Sequence, residues 1–171
     1  MRSEDLRKLA KSSAGLLMFR GSPKLEVLLV HLGGPFWAKK DLGAWFVPKG
    51  EIESGEDTLE AAKREFQEET GIAPHEPFLA LGSVKNKSGK TITVWAFRGD
   101  GDPAQIRSNT FRMEWPPRSG KMAEFPEIDR AAFYALAEAK EKMSAAEAVF
   151  LERLQEVLGS SGENPVKKAK A

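Results

Sequence analysis

A chain of 171 residues is long enough for one domain with a sizeable core. Its 26 Lys and Arg nearly balance 25 Asp and Glu, and the resulting net charge of +1 argues against a duplex nucleic-acid binder that relies on a broad basic surface. With no cysteine there is no disulfide framework, thiolate nucleophile or Cys-type zinc site, and two histidines, His31 and His75, are too few for a histidine-rich metal centre.

Residues 1–12 are polar, with Leu6 and Leu9 three apart, and read as a terminal arm or a short helical turn. They mix charges and lack an apolar h-region, so no secretory signal is expected. The longest apolar runs fall far short of a membrane span. A cytoplasmic protein, monomeric or homodimeric, is the expectation. Residues 13–20 (SAGLLMFR) and 25–32 (LEVLLVHL) read as strands either side of a turn, a hairpin opening a sheet. The unbroken run Val27, Leu28, Leu29, Val30 predicts burial on both faces, and His31 at its end reads as a structural histidine. The loop at 33–44 (GGPFWAKKDLGA) carries Trp37, Lys39 and Lys40. Trp37 is a candidate for stacking on a base and Lys39 or Lys40 for meeting phosphate; the alternative is an anchoring Trp among solvated lysines.

The stretch at 50–72, GEIESGEDTLEAAKREFQEETGI, organises the chain. Asp57 and Thr58 are N-cap-type residues, Ala61 and Ala62 favour helix, and Gly71 stops it. Leu59, Ala62 and Phe66 share an apolar stripe. Glu65, Glu68 and Glu69, at i, i+3 and i+4, project together from a neighbouring face. Lys63 and Arg64 stand against eight carboxylates across the stretch, so the cluster is either a solvated acidic face or a site for a hard divalent cation such as Mg²⁺.

The frame around those glutamates decides between the two. Gly50, five residues, Glu56, seven residues, and then REFQEETGI at 64–72 resembles the Nudix box at every defined position, Phe66 and Ile72 filling its apolar slots. The resemblance implies a metal-dependent hydrolase. Glu68 and Glu69 would be the principal ligands of Mg²⁺ or Mn²⁺. Glu65 would be a further ligand or the base that activates water. Arg64 and Glu56 would form a bracing ion pair, and Gly50 would admit the metal close to the backbone, its carbonyl a further ligand. The lead-in WFVPKG at 45–50 is similar to the W-x-x-P-K-G of the subgroup that includes dinucleoside and diphosphoinositol polyphosphate hydrolases, which makes Lys49 a candidate phosphate contact.

After the box, Pro74 and Pro77 forbid further helix. Residues 78–84 and 91–98 read as strands joined by a lysine-rich tip at 85–90, with Thr91, Thr93 and Trp95 on a wetter face than Ile92, Val94 and Ala96. Residues 106–115 read as another strand, and PPRSGK at 116–121 as a rigid basic turn where Arg118 is a candidate phosphate clamp. Many Nudix enzymes place an extra glutamate in a late loop facing the metals; Glu124 is the candidate and Glu127 the runner-up. Strand content at 128–134 precedes helical stretches at 136–142 and 144–158, the last capped by Ser144 with Glu147 in a capping box and an apolar stripe of Val149, Phe150, Leu154, Val157 and Leu158. Residues 159–171 are polar, low-complexity and expected to be disordered.

The expectation is therefore an α/β Nudix-type α/β/α sandwich over 13–158, a mixed β-sheet between helices. Its reaction would be cleavage of a phosphoanhydride bond in a nucleotide-type small molecule. Dinucleoside polyphosphates come first among substrates, then nucleoside triphosphates including oxidised ones. A non-catalytic nucleotide sensor on the same fold is the reading from a different class; neither duplex nucleic acid nor membrane is an expected partner.

Overall fold

The computed structural model describes residues 12–21 and 24–161. The expected N-terminal arm up to residue 11 and most of the expected C-terminal tail lie outside them, and Ser12, expected in the arm, begins the first strand. Strand β1 (Ser12–Arg20) is the axis of a seven-stranded mixed sheet. It pairs antiparallel with β2 (Glu26–Leu32), parallel with β6 (Thr91–Arg98), and antiparallel with the short β4 (Lys49–Glu51). β5 (Leu79–Lys85) closes a hairpin onto β6, while β3 (Trp45–Phe46) and β9 (Ile128–Ala135) both pair with β2.

Side chains on β1 alternate between two cores, as the two-residue period of a strand dictates. Ala14, Leu16 and Met18 meet Ala61, Ala62 and Phe66 of α1 (Thr58–Thr70), together with Leu28 and Phe97. Leu17 and Phe19 face the other way, onto α2 (Leu136–Lys142) and α3 (Ala145–Ser161), where Ala139, Phe150, Leu151, Leu154 and Leu158 are buried. The result is the expected α/β/α sandwich. Both faces of the Val27–Val30 run are indeed covered, each residue being at most 2% exposed. Thr91, Thr93 and Trp95 are half-buried where Ile92, Val94 and Ala96 are fully so.

Four local expectations change. The strand foreseen at 106–115 is shorter: a 3-10 turn at Pro103–Gln105 is followed by β7 at Thr110–Glu114 only. β7 pairs antiparallel with an unforeseen β8 (Met122–Pro126), and the two form a separate two-stranded sheet. α3 runs past Gly159 to Ser161, because a glycine inside a helix costs only about 1 kcal/mol when the preceding turns are packed. Glu147 does not cap α3. It turns into the core, 2% exposed, and Leu151 takes the buried place where Val149 stays exposed.

Candidate active site

The local sequence of α1 fixes where its carboxylates go. Asp57 Oδ2 accepts the Glu60 amide (3.2 Å) at the N-cap, and Gly71, at φ 75°, closes the helix with its N–H on the Gln67 carbonyl (2.8 Å). With Phe66 and Ala62 fully buried against the sheet, Glu65 and Glu69 are carried to the edge of that contact and Glu68 outward to solvent. β4 passes beside them. A Cβ on Gly50 would overlap the Glu65 carboxyl group, so only glycine lets this carboxylate lie against the backbone of β4.

Arg64 is the hub. Its Nε donates to Glu56 Oε2 at 2.8 Å and its Nη2 to Glu56 Oε1 at 3.0 Å, a bidentate pair. Its Nη1 donates to Glu65 Oε1 (2.9 Å) and lies 3.3 Å from Glu68 Oε2. Arg64 thus sits between Glu65 and Glu68, and among the described residues no three His, Asp or Glu side chains stand at metal-ligand spacing.

Glu69 has a different environment. Its Oε2 is buried with no hydrogen-bond partner. Burial raises its pKa to about 8, opposed by the Lys49 charge and backbone amide and reinforced by the charges of Glu65 and Glu127. Burial also raises the pKa of Glu65, against the pull of Arg64 and with the repulsion of Glu68 and Glu127. An orphaned buried carboxylate oxygen, with further carboxylates whose charges it feels, has the oxygen chemistry that suits a hard divalent cation, which Glu65 and Glu68 could join only by giving up Arg64.

Beside these glutamates opens a cavity of about 580 Å³. Glu69 and Glu127 supply its carboxylates, and Phe36, Trp37, Phe111 and Met113 its apolar walls. Trp37 stands edge-on to Phe46 at a centroid distance of 5.5 Å, with Lys40 Nζ 4.8 Å from its ring centre. The β7–β8 hairpin closes the far wall, Trp115 meeting Phe36 edge-on at 5.4 Å.

Some expected contacts fall elsewhere. Glu124 is paired across the hairpin with Arg112, and strand alternation puts both on the opposite face from Phe111 and Met113. It is therefore turned away from the cavity, and the runner-up, Glu127, lines it. Lys49 aims its ammonium at Glu147 Oε2 (3.0 Å), while Glu147 Oε1 accepts the Val47 amide (2.9 Å). Lys39 is exposed and outside the cavity wall. Arg118 is exposed in the hairpin tip, at φ 62°, its amide held by Glu114 Oε1 at 2.9 Å. Phe36, Phe111 and Met113 are wall residues that the sequence reading missed; the alternation of 111 and 113 would have flagged the last two had β7 been placed correctly.

The family model of the NUDIX domain matches residues 10–154. The chain belongs to the Nudix family. This Nudix protein is 31% identical over 129 residues to the RNA pyrophosphohydrolase of Brucella anthropi, covering 60% of this chain and 71% of the relative. The RNA pyrophosphohydrolase of Rhizobium meliloti is also 31% identical over 129 residues, covering 60% of this chain and 74% of that one. Among solved structures, the binary complex of a C. elegans Ap4A hydrolase superposes with a TM-score of 0.63 at 20% identity, over 86% of this chain and 98% of the other. The Nudix domain of Shewanella oneidensis NrtR with ADP ribose gives 0.58 at 17% identity, over 86% and 87%. At those identities the structures speak for the fold alone. The protein is a Nudix hydrolase, in a family that generally uses divalent cations. No helix among the described residues is long and apolar enough to cross a membrane.

Proposed function

We propose that this Nudix hydrolase cleaves a phosphoanhydride bond in a nucleoside diphosphate linked to a second moiety, dinucleoside polyphosphates first among them, with Mg²⁺ or Mn²⁺ as cofactor. The observation that carries the reading is the juxtaposition of an aromatic cavity with the buried Glu69 carboxylate oxygen: Trp37 and Phe36 line the same space that Glu69 and the exposed Glu127 face. The walls take the base, and the phosphates extend toward α1. Stacking on an aromatic side chain contributes about 1–3 kcal/mol per base, enough to hold the chain in register for attack.

Glu65, Glu68 and Glu69, with the Gly50 carbonyl, would hold the cation, and Glu127 faces it from the cavity side. Bound there, the cation neutralises charge on the departing phosphate and acidifies a water. In the alternative role, Glu65 would be the base rather than a ligand, its proton affinity raised by burial. Arg64, gripped by Glu56, holds Glu65 on its helix. Such an enzyme would work in the cytoplasm, as a monomer or homodimer.

A second reading has specific support: relatives at 31% identity are named RNA pyrophosphohydrolases, which points to a 5′-triphosphorylated single strand presented to the same cavity. One assay separates the two and tests both. Purified protein with Mg²⁺ or Mn²⁺ is given dinucleoside polyphosphates, nucleoside triphosphates (oxidised ones included) and 5′-triphosphorylated RNA in ¹⁸O-labelled water. The expected result is nucleotide release from a dinucleoside polyphosphate with label in one product. Turnover of RNA alone moves the assignment to the second reading, and no turnover of any of the three overturns the proposal.

A further inference from the structure

The carboxylate chemistry leaves a buried histidine unused. His31 has no exposed surface. Its Nδ1 is 2.7 Å from Asp129 Oδ1, an acceptor-only carboxylate, which assigns a proton to that nitrogen. Its Nε2 is 2.6 Å from the Lys40 carbonyl and 3.0 Å from Arg130 Nη2. The ring meets Trp45 edge-on at 5.2 Å. One side chain therefore touches the foot of the 33–44 loop and the strand that starts just beyond Glu127.

The same loop is tied elsewhere. At its start the Gly33 amide donates to the Glu127 carbonyl at 2.9 Å, and a Cβ on Gly33 would overlap the Pro126 carbonyl oxygen. At its end Asp41 accepts from Trp45 Nε1 (2.9 Å) and from Lys142 Nζ (2.6 Å). The first foot is thus pinned beside residues 126–127 and the second to Trp45 and α2, with His31 joining the second to Asp129, while the span between them presents Phe36 and Trp37 to the cavity that Glu127 shares.

We propose that His31 is a positioning residue: with Asp129 it fixes the separation between the aromatic loop and Glu127, and so sets how tightly the cavity holds a nucleobase without touching it. This rests on the cavity being the base site. A loop already held in its binding conformation loses less freedom when ligand arrives. Release of the tie weakens binding, while Glu65, Glu68 and Glu69, carried by α1, keep their places.

The test uses His31→Gln and Asp129→Ala in the full chain; Asp129 is 25% exposed, so its truncation carries both readouts if the buried His31 variant does not fold. Steady-state kinetics with a dinucleoside polyphosphate and Mg²⁺ are expected to show KM raised about tenfold and kcat within about threefold. The double variant should be no worse than the more affected single one, as for two residues in one network. Amide exchange of the ligand-free protein should quicken about tenfold across 33–44 and not across α1. Unchanged KM and loop exchange in a folded variant, or a fall in kcat alone, overturns the proposal. If the wild-type enzyme turns over none of the nucleotide panel, it is the functional reading that fails; loop exchange, read without substrate, still decides whether His31 makes the tie.

Discussion

Glu56 holds Arg64 with both carboxylate oxygens, at 2.8 and 3.0 Å, and Arg64 in turn holds Glu65 at 2.9 Å. The pair is partly buried, 18% and 27% exposed, so its hydrogen bonds are less screened than those of a surface pair. It also lowers the Glu56 pKa, chiefly through the Arg64 hydrogen bonds. Glu56→Gln keeps the shape but removes one charge and one acceptor. We expect a loss of about 1–3 kcal/mol, read as a Tm lower by roughly 2–4 °C per kcal/mol for a domain of this size. kcat/KM should fall at least tenfold as Glu65 loses its support. A variant with wild-type Tm and turnover would show the pair to be idle.

Gly50 makes a sharper test of geometry. The atoms that a Cβ would meet belong to the Glu65 side chain, which can swing, rather than to backbone. Gly50→Ala should therefore fold with a change in stability of about 1 kcal/mol or less yet displace the Glu65 carboxylate, with kcat down on the order of a hundredfold or more. Circular dichroism and Tm check the fold, and single-turnover kinetics check the chemistry. Retained turnover would remove Glu65 from the reaction.

The candidate extra glutamate divides cleanly between two positions. Glu124 shares its hairpin face with Arg112, away from the cavity, whereas Glu127 lines it and raises the pKa of both Glu65 and Glu69. Glu127→Gln is expected to cut kcat by about 10²–10³, the range for loss of a general base or of a charge at the reacting centre. Glu124→Gln should change it less than about threefold. The reverse pattern in a side-by-side assay would sink the assignment.

How much of this could be read from the chain alone follows from where each constraint resides. The box is local: cap, apolar stripe, glutamate spacing and C-terminal glycine all lie in or beside one helix, so α1 and its carboxylates were legible, while the Glu56–Arg64 pair followed from the resemblance to the Nudix box. Strand alternation likewise exposed the two faces of β6. Pairings between distant segments left no local signal. His31 meets Asp129 across 98 positions, and Glu147 meets Val47 across 100. Lys49 looked like a free phosphate contact because nothing near it in sequence says that a buried carboxylate from α3 will claim it. β8 escaped because its five residues include a proline and a proline-led turn, PPRSGK, precedes it, which hid the period that would have turned Glu124 outward.

Glu147 also shows what it takes to place a charge in the core. Its two oxygens are both used, on the Val47 amide and the Lys49 ammonium, and the whole side chain is 2% exposed. Glu147→Ala leaves the Val47 amide without a partner and the Lys49 ammonium without its carboxylate, so we expect about 3–5 kcal/mol lost, the cost of breaking a buried pair by removing one side. Glu147→Ala with Lys49→Met should recover part of that. Chemical denaturation of the two variants checks it; equal stability of single and double variants would show that the two side chains are not coupled.

The pH dependence of stability offers a test of the carboxylate cluster that needs no substrate. Burial raises the Glu69 pKa from 4.5 to about 8 in the folded chain. An acid whose folded pKa lies above its unfolded value keeps its proton longer in the folded state. Its stabilising contribution is therefore complete below about pH 4.5 and is lost as pH rises toward 8. In chelator, the wild-type protein should lose a few kcal/mol across that window, each unit of pKa being worth about 1.4 kcal/mol, after the opposite trend of Glu56 near its own lower pKa has finished. Glu69→Gln cannot ionise and should flatten the slope. Millimolar Mg²⁺ should do the same for the wild type by binding the ionised form, adding about 2.7 kcal/mol at a hundred times its Kd. Differential scanning calorimetry from pH 5 to 8, with and without the ion, measures all three. Equal slopes for wild type and Glu69→Gln, and no rise in Tm with Mg²⁺ or Mn²⁺, would mean that this buried oxygen is not where a cation is held.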